Sequence, residues 1–310
     1  MLDAQPAFRF PVVAVIGPTG TGKTALSMEL ARELDGEVVN ADAFQFYRGM
    51  DIGTAKATVQ QRQEVPHHLL DIMDLSQEAS VVQFQQQARE CFAQIRQRSR
   101  VPILVGGSGL YVRAALDQID FPGTDPEVRR RVEHDLEQHG PEFLRDRLRR
   151  VDPESASRIH DNRRLVRAIE VYELTGRPFT AFMPTRTYSE PTVQIAVNVD
   201  RQLLYRRLEQ RVHSMVDNGW EQEVRSLAVA GLRTSPTASR AIGYSQLLAV
   251  IDGTMTRDEA VASTVTATRQ FAKRQLTWFR ADPRVHWVAG DDPLLVKSAI
   301  ERIRRTNPAD

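Results

Sequence analysis

Apolar residues recur along this chain in two rhythms. Val12–Ile16 is an unbroken apolar run, short enough for a buried strand, followed by a glycine-rich turn and a helical pattern from Ala25 to Leu34. Glu37–Ala41 predicts a second strand, and Leu69–Ile72 a short further one. A helix is predicted over Val81–Arg96, leading through Pro102 into a strand at Ile103-Leu104-Val105. Strands alternating with helices predict a parallel sheet covered by helices. After about Asp120 that alternation stops. From Pro122 to about Pro184 the patterns are helical and rich in Arg, Glu and Leu. Asp125-Pro126-Glu127 reads as a helix start, with proline in the first turn and acid at the positive end of the dipole. Pro153 and Gly176-Arg177-Pro178 punctuate later helices, Val193–Val199 restores a strand, and Asp200 opens a long amphipathic helix. The economical reading is an α/β core made of 1–120 and 191–310, interrupted by an all-helical insertion at 121–190. Residues after about Arg304 are expected to fray.

Composition narrows this only slightly. No apolar run approaches the roughly 20 residues needed to span a bilayer, so no membrane partner is expected. Met1-Leu-Asp-Ala-Gln-Pro6 has neither the basic start nor the apolar stretch of a leader, and the cytoplasm is the expected location. The single cysteine, Cys91, excludes an intrachain disulfide and a thiolate-rich zinc site. It recurs with Phe84, Ala88 and Ile95 at helical spacing and reads as a small core residue. Net charge is only +1, but the arginines are clustered. Arg269, Lys273, Arg274 and Arg280 share a stretch without acid, Arg145, Arg147, Arg149 and Arg150 form a second group, and Arg163, Arg164 and Arg167 a third. One such group is ordinarily a solvated helix face. Three make a phosphate-backbone footprint a reasonable expectation.

Gly17-Pro18-Thr19-Gly20-Thr21-Gly22-Lys23-Thr24 matches G-x-x-x-x-G-K-[ST] between an apolar strand and a helix. Glycines let the backbone curl round an anion, amide N–H groups point inward, and the helix start adds positive potential. Lys23 supplies a mobile cation to phosphate oxygens and Thr24 a hydroxyl to a bound Mg²⁺. The loop implies a diphosphate or triphosphate without saying which. An ATP-hydrolysing machine ends a later strand in a carboxylate. Here the later strand runs Ile103-Leu-Val-Gly-Gly-Ser108, and the acid beside a strand end is Asp42. In parallel sheets ligands sit outside the carboxyl ends of the strands, so Asp42 is expected to share a crevice with Lys23. It is a candidate general base, with a simple turn or cap role as the alternative.

The segment Asp42-Ala43-Phe44-Gln45-Phe46-Tyr47-Arg48-Gly49-Met50-Asp51-Ile52-Gly53-Thr54-Ala55-Lys56, taken with the phosphate loop, resembles the tRNA dimethylallyltransferase (isopentenyltransferase) family. Pro66-His67-His68-Leu-Leu-Asp71-Ile72, Val105-Gly-Gly-Ser-Gly-Leu-Tyr111, Arg163-Arg164-Leu165-Val166-Arg167-Ala-Ile-Glu170, Arg240-Ala241-Ile242-Gly243-Tyr244 and Thr268–Phe279 follow in order. These blocks reach from about Val12 to Trp287. The resemblance implies a P-loop kinase-like core with an inserted helical domain, in a bacterial-type enzyme. It implies that the loop holds dimethylallyl diphosphate, and that the acceptor is N6 of adenine-37 in anticodon loops reading codons that begin with U. By position, Asp42 matches the general base, Thr19 a hydroxyl at the adenine amine, and Lys23 and Arg211 the cations on the diphosphate. Arg207 lies one turn from Arg211 and only the resemblance chooses between them. Asp42–Gln45, Ser108, Arg129, Arg163–Arg167 and Arg240–Ser245 match segments that touch tRNA. Two departures stand out: Ile159-His160-Asp161-Asn162 is shorter than the family's usual His-Pro-Asn-Asp block, and Ser108 replaces the commoner Thr.

Amine N6 is a weak nucleophile, so the expected chemistry stabilises the leaving diphosphate and removes a proton from the amine. The base must also leave its stack, and Phe44, Phe46 and Tyr47 offer a stacking surface, with at least two of the three expected to be core packing. The expected partners are the tRNA anticodon stem-loop and dimethylallyl diphosphate, with a monomeric enzyme. An enzyme prenylating free AMP, ADP or ATP is the nearest rival, and needs neither the insertion nor the Arg163–Arg167 block. A kinase using ATP and a non-catalytic P-loop RNA-binding protein are further alternatives.

Overall fold

The computed structural model describes residues 10–183 and 185–306. The expectations for the first six residues, and for the end of the chain beyond 306, fall outside that range. The chain divides into two compact units, one formed by the residues up to Leu116 and from Tyr188 on, the other by Asp117–Thr187.

In the first unit the elements are β1 (Val12–Ile16), α1 (Lys23–Glu33), β2 (Gly36–Asn40), α2 (Val59–Glu64), β3 (His67–His68), α3 (Val81–Gln97), β4 (Val101–Gly106) and α4 (Gly109–Leu116). The second unit holds α5 (Pro126–Val151), α6 (Pro153–Arg158) and α7 (Asn162–Thr175). The first then resumes with β5 (Thr192–Asn198), α8 (Arg201–Asp217), α9 (Trp220–Val229), α10 (Tyr244–Ile251), α11 (Arg257–Arg280), β6 (Val285–Ala289) and α12 (Leu295–Thr306). The six strands form one parallel sheet in the order β3-β2-β4-β1-β5-β6. Every residue of β1 is fully buried, as an apolar run flanked by β4 and β5 and covered on both faces requires. The chain leaves β1 toward β2 and β4 on one side and β5 on the other, which opens a crevice at the carboxyl ends of the central strands.

The expected α/β architecture is therefore observed. One expected strand is not. Leu69–Ile72 does not pair; the edge strand is His67–His68, and Leu69 and Asp71 have left-handed backbones (φ 59° and 55°), which ends the pleat. Asp71 instead uses its carboxylate to hold Lys56 (2.6 Å) and Arg62 (2.6 Å). Cys91 is half-buried while Phe84, Ala88 and Ile95 of the same helix are buried, and burial raises its thiol pKa, as suits an inert packing residue.

In the second unit Asp125 caps α5, accepting from the Glu127 and Val128 amides. Gly140 (φ 79°, ψ 173°), followed by Pro141, breaks α5 into two arms. Val132, Leu144, Leu148, Leu165, Val166 and Ile169 form this unit's own core. No helix among the described residues is long and apolar enough to cross a membrane.

Candidate active site

The loop after β1 is shaped by backbone that only glycine adopts readily. Gly20 (φ 81°) has no room for a Cβ, which would lie 2.6 Å from Leu208 Cδ2. Gly22 (φ 97°) turns the chain into α1 at Lys23. The Lys23 ammonium donates to the Pro18 carbonyl (2.7 Å), and the Thr21 hydroxyl to the same oxygen (2.9 Å). Lys23 is thus folded over its own loop rather than held by an acid.

Two cavities open above the carboxyl ends of β1, β2 and β4 and meet at shared residues. The polar lobe is lined by Lys23, Thr24, Asn40, Gln45, Gly106 and Gly107, and the apolar lobe by Phe44, Leu208, Val212, Trp220, Ile242 and Tyr244. Thr19, Asp42, Thr54, Arg211 and Phe271 line both. Asp42, expected at a strand end, sits two residues past β2, where its carboxylate also caps the short turn Ala43–Phe46 by accepting from the Phe44 amide (3.0 Å). The capping role and the position facing the phosphate loop coexist.

Burial and the charge of Arg211 hold Lys23 well below the usual lysine range, to about 7, with Asp42 offsetting part of this. Burial likewise lowers Arg211, again partly offset by Asp42. The Asp42 carboxyl is pushed up by burial, against the Phe44 amide and the two cations. Among the described residues neither Lys23 nor Arg211 is in an ion pair. Two desolvated cations and one carboxylate at a cavity junction favour an anionic ligand, because an anion restores what burial removed. Of the two candidate arginines, Arg211 lines the cavities and Arg207 does not.

Other expected positions divide between exposed and structural. Phe44 lines the apolar lobe, whereas Phe46 stacks on Phe84 (centroids 5.7 Å apart) and Tyr47 is buried with its hydroxyl on the Gln77 carbonyl (3.0 Å). Ala43 is half-buried, and Gln45 donates to the Thr54 carbonyl (3.1 Å). Ser108 is half-buried just before α4, with its carbonyl accepting from the Val112 amide. Arg240 and Ser245 are exposed, Ile242 is half-buried, and Ala241 and Tyr244 are buried. Gly243 (φ 88°) lies against Trp220: a Cβ there would fall 1.8 Å from Cη2 of the indole. In the helical unit Arg163 and Arg164 are exposed, but Leu165 and Val166 are buried in its core. Arg129 and Arg167 both pair with the buried Glu170 (2.9 Å each), and Arg167 also donates to the Pro122 and Gly123 carbonyls. The group at 145–150 is also largely tied up, Arg145 to Glu142, Arg147 to Asp135 and Glu173, and Arg149 to Asp146.

Sequence reading gave no role to Glu223 or Trp220. The Glu223 carboxylate accepts from the Asp51, Ile52 and Gly53 amides (3.0, 2.6 and 3.3 Å) and from the Tyr244 hydroxyl (2.7 Å). Trp220 packs edge-on to Tyr244 and leaves no room for a Cβ at Gly53. Together they fix the far wall of the apolar lobe. No local pattern marks them, since the partners are up to 172 residues away.

A parallel α/β sheet with a glycine-shaped loop after β1, two half-buried cations and a facing carboxylate fits the class of proteins that bind a phosphorylated ligand at strand ends. More narrowly, the chain belongs to the IPP transferase family, whose profile matches residues 45–282. It is 62% identical over 289 residues to a tRNA dimethylallyltransferase of Pseudarthrobacter chlorophenolicus, covering 93% of this chain and 97% of the relative. A Streptomyces coelicolor tRNA dimethylallyltransferase is 53% identical over 310 residues, covering 97% and 99%. Among solved structures, the full-length tRNA isopentenylpyrophosphate transferase of Bacillus halodurans matches with a TM-score of 0.70 at 37% identity, covering 96% and 97%. A eukaryotic dimethylallyltransferase acting on tRNA matches with a TM-score of 0.81 at 27% identity, covering 91% of this chain and 74% of that one.

Proposed function

We propose that this protein transfers the dimethylallyl group of dimethylallyl diphosphate to N6 of adenine-37 in the anticodon loop of tRNAs that read codons beginning with U, acting as a cytoplasmic monomer. The observation that carries the reading is the junction itself. Arg211 and Asp42 line both the polar and the apolar cavity, Lys23 lines the polar one beside them, and among the described residues neither cation is in an ion pair. In this reading the diphosphate occupies the polar lobe on the amides of Gly20–Thr24, and the flipped base enters the apolar lobe beside Phe44.

Charge moves onto the diphosphate as the allylic C–O bond breaks, and Lys23 and Arg211 stabilise it there. Asp42 accepts the N6 proton as the new C–N bond forms. Burial raises its pKa, which makes it a better base than an exposed carboxylate. Thr19 orients the amine. The apolar lobe keeps water from the allylic carbon. The Thr24 hydroxyl lines the polar lobe, and no group of three potential metal-ligating side chains exists among the described residues. The Thr24 hydroxyl, an oxygen donor of the kind Mg²⁺ prefers, is the side chain that would hold the ion there. When bound, Mg²⁺ supplies further neutralisation of the leaving group.

Incubation with labelled dimethylallyl diphosphate and either tRNA or AMP tests the reading. Label in tRNA alone is expected. Label in AMP would favour the free-nucleotide rival, and ATP consumption without label transfer would favour a kinase.

A further inference from the structure

Gln275 stands near the C-terminal end of α11 and is almost fully buried (6% exposed). Its carboxamide uses both ends. Oε1 accepts from the Thr19 amide (2.8 Å), and Nε2 donates to the Gly107 carbonyl (2.8 Å). Thr19 belongs to the loop after β1 and Gly107 to the loop after β4, the two walls of the polar lobe, which Gln275 also lines. The contact at Gly107 is close enough that a Cβ there would lie 2.2 Å from Nε2. One turn further along the same helix face, Trp278 closes on Gly109, where a Cβ would lie 2.4 Å from Cε3.

We propose that Gln275 is a positioning residue of the transfer reaction, a two-ended brace that sets the spacing of the phosphate loop and the β4 loop and so the placement of Thr19. The chemistry of the residue type carries this. A glutamate has no donor for Gly107, an asparagine is one methylene shorter, and an apolar residue of equal length leaves a buried amide and a buried carbonyl unpaired. The brace also means that the Thr19 amide is committed to protein, so the anion cradle is built from the amides that follow it. The inference rests on the prenyl-transfer reading for its kinetic consequence and on the hydrogen bonds alone for its structural one.

The test compares wild type with Gln275→Met and Gln275→Glu. In the free protein, hydrogen–deuterium exchange in Gln275→Met is expected to rise at least about tenfold at residues 17–24 and 106–109. The single-turnover transfer rate is expected to fall about 10–100-fold, because misplacement by an ångström is enough for that loss. Affinity for inorganic diphosphate and KM for tRNA should stay within about threefold, a split that lost folding would not give. In Gln275→Glu the 17–24 segment should stay protected while 106–109 loosens, so the brace remains testable if the methionine variant does not fold. Unchanged exchange in both variants would overturn the brace, and faster exchange with a wild-type transfer rate would overturn its role in positioning. Wild-type protein that transfers no label to tRNA would defeat the functional reading instead, leaving the exchange result to decide the brace.

Discussion

At the scale of single residues, the site is a problem of desolvated charge. Asp42→Asn removes the proton acceptor but keeps the cap shape, so folding and donor binding should persist while turnover falls about 10²–10⁴-fold. Because burial raises the Asp42 pKa, the wild-type rate should climb with pH as its carboxyl ionises, and the asparagine variant should lack that acid limb. Steady-state kinetics across pH checks both; near-normal turnover with weakened tRNA binding would make Asp42 a recognition residue. Lys23 gives the complementary test. Its pKa of about 7 leaves it mainly neutral at pH 8 in the free protein, and a bound diphosphate favours the charged form. Binding of inorganic diphosphate at pH 8 should therefore take up more protons in wild type than in Lys23→Ala, a difference in which the ligand's own titration cancels. The difference should shrink toward pH 6, where Lys23 is already charged. Calorimetry in buffers of different ionisation enthalpy measures it, and equal uptake by the two proteins at pH 8 would contradict the electrostatic picture. Lys23 was legible in the sequence because its motif fixes both neighbours and backbone. The resemblance picks Arg211 over Arg207, and the fold supplies the physical reason, since Arg211 is on the face of α8 that lines the cavities.

Among the elements, what sequence reveals depends on how local the cause is. β1, α1 and β4 follow from runs and caps within a few residues. The expected strand at Leu69–Ile72 failed because Asp71 is drawn into an ion-pair network with Lys56 and Arg62, and no short window contains those partners. The Glu223 clasp is equally non-local. Replacing its carboxylate by a carboxamide in Glu223→Gln turns an NH₂ group toward backbone donors at 51–53, so stability should drop by about 1–3 kcal/mol and KM for tRNA should rise more than KM for the donor. Urea unfolding midpoints and initial rates check this, and unchanged values of both would reduce the clasp to an incidental contact. The arginine groups show the opposite failure, where sequence promised too much. Arg167 and Arg147 hold the helical unit together, Arg145 and Arg149 pair within their own helix, and Arg163 and Arg164 of α7 stand with Arg150 as exposed candidates for phosphate. In Arg163→Ala/Arg164→Ala, KM for tRNA should rise, donor affinity should hold, and the slope of log K against log salt should shrink by about 2. An unaltered salt slope would make α7 a structural helix only.

For the whole molecule, the account divides labour between units of different design. The sheet unit supplies rigid strand ends on which a cation pair, a carboxylate and an apolar wall converge, and the helical unit carries its own core and exposed arginines. The architecture was legible because the alternation of strand and helix breaks off and resumes along the chain. The acceptor was legible only through the family resemblance, since a phosphate loop by itself is indifferent to what receives the transferred group. The most direct test is therefore transfer of label from dimethylallyl diphosphate to a synthetic anticodon stem-loop with adenine at position 37, beside an otherwise identical stem-loop with guanine there. The account predicts label in the adenine stem-loop, recovered on N6 of that nucleoside after digestion, and none in the guanine one. Equal labelling of the two, or label appearing only when AMP is supplied, would contradict it.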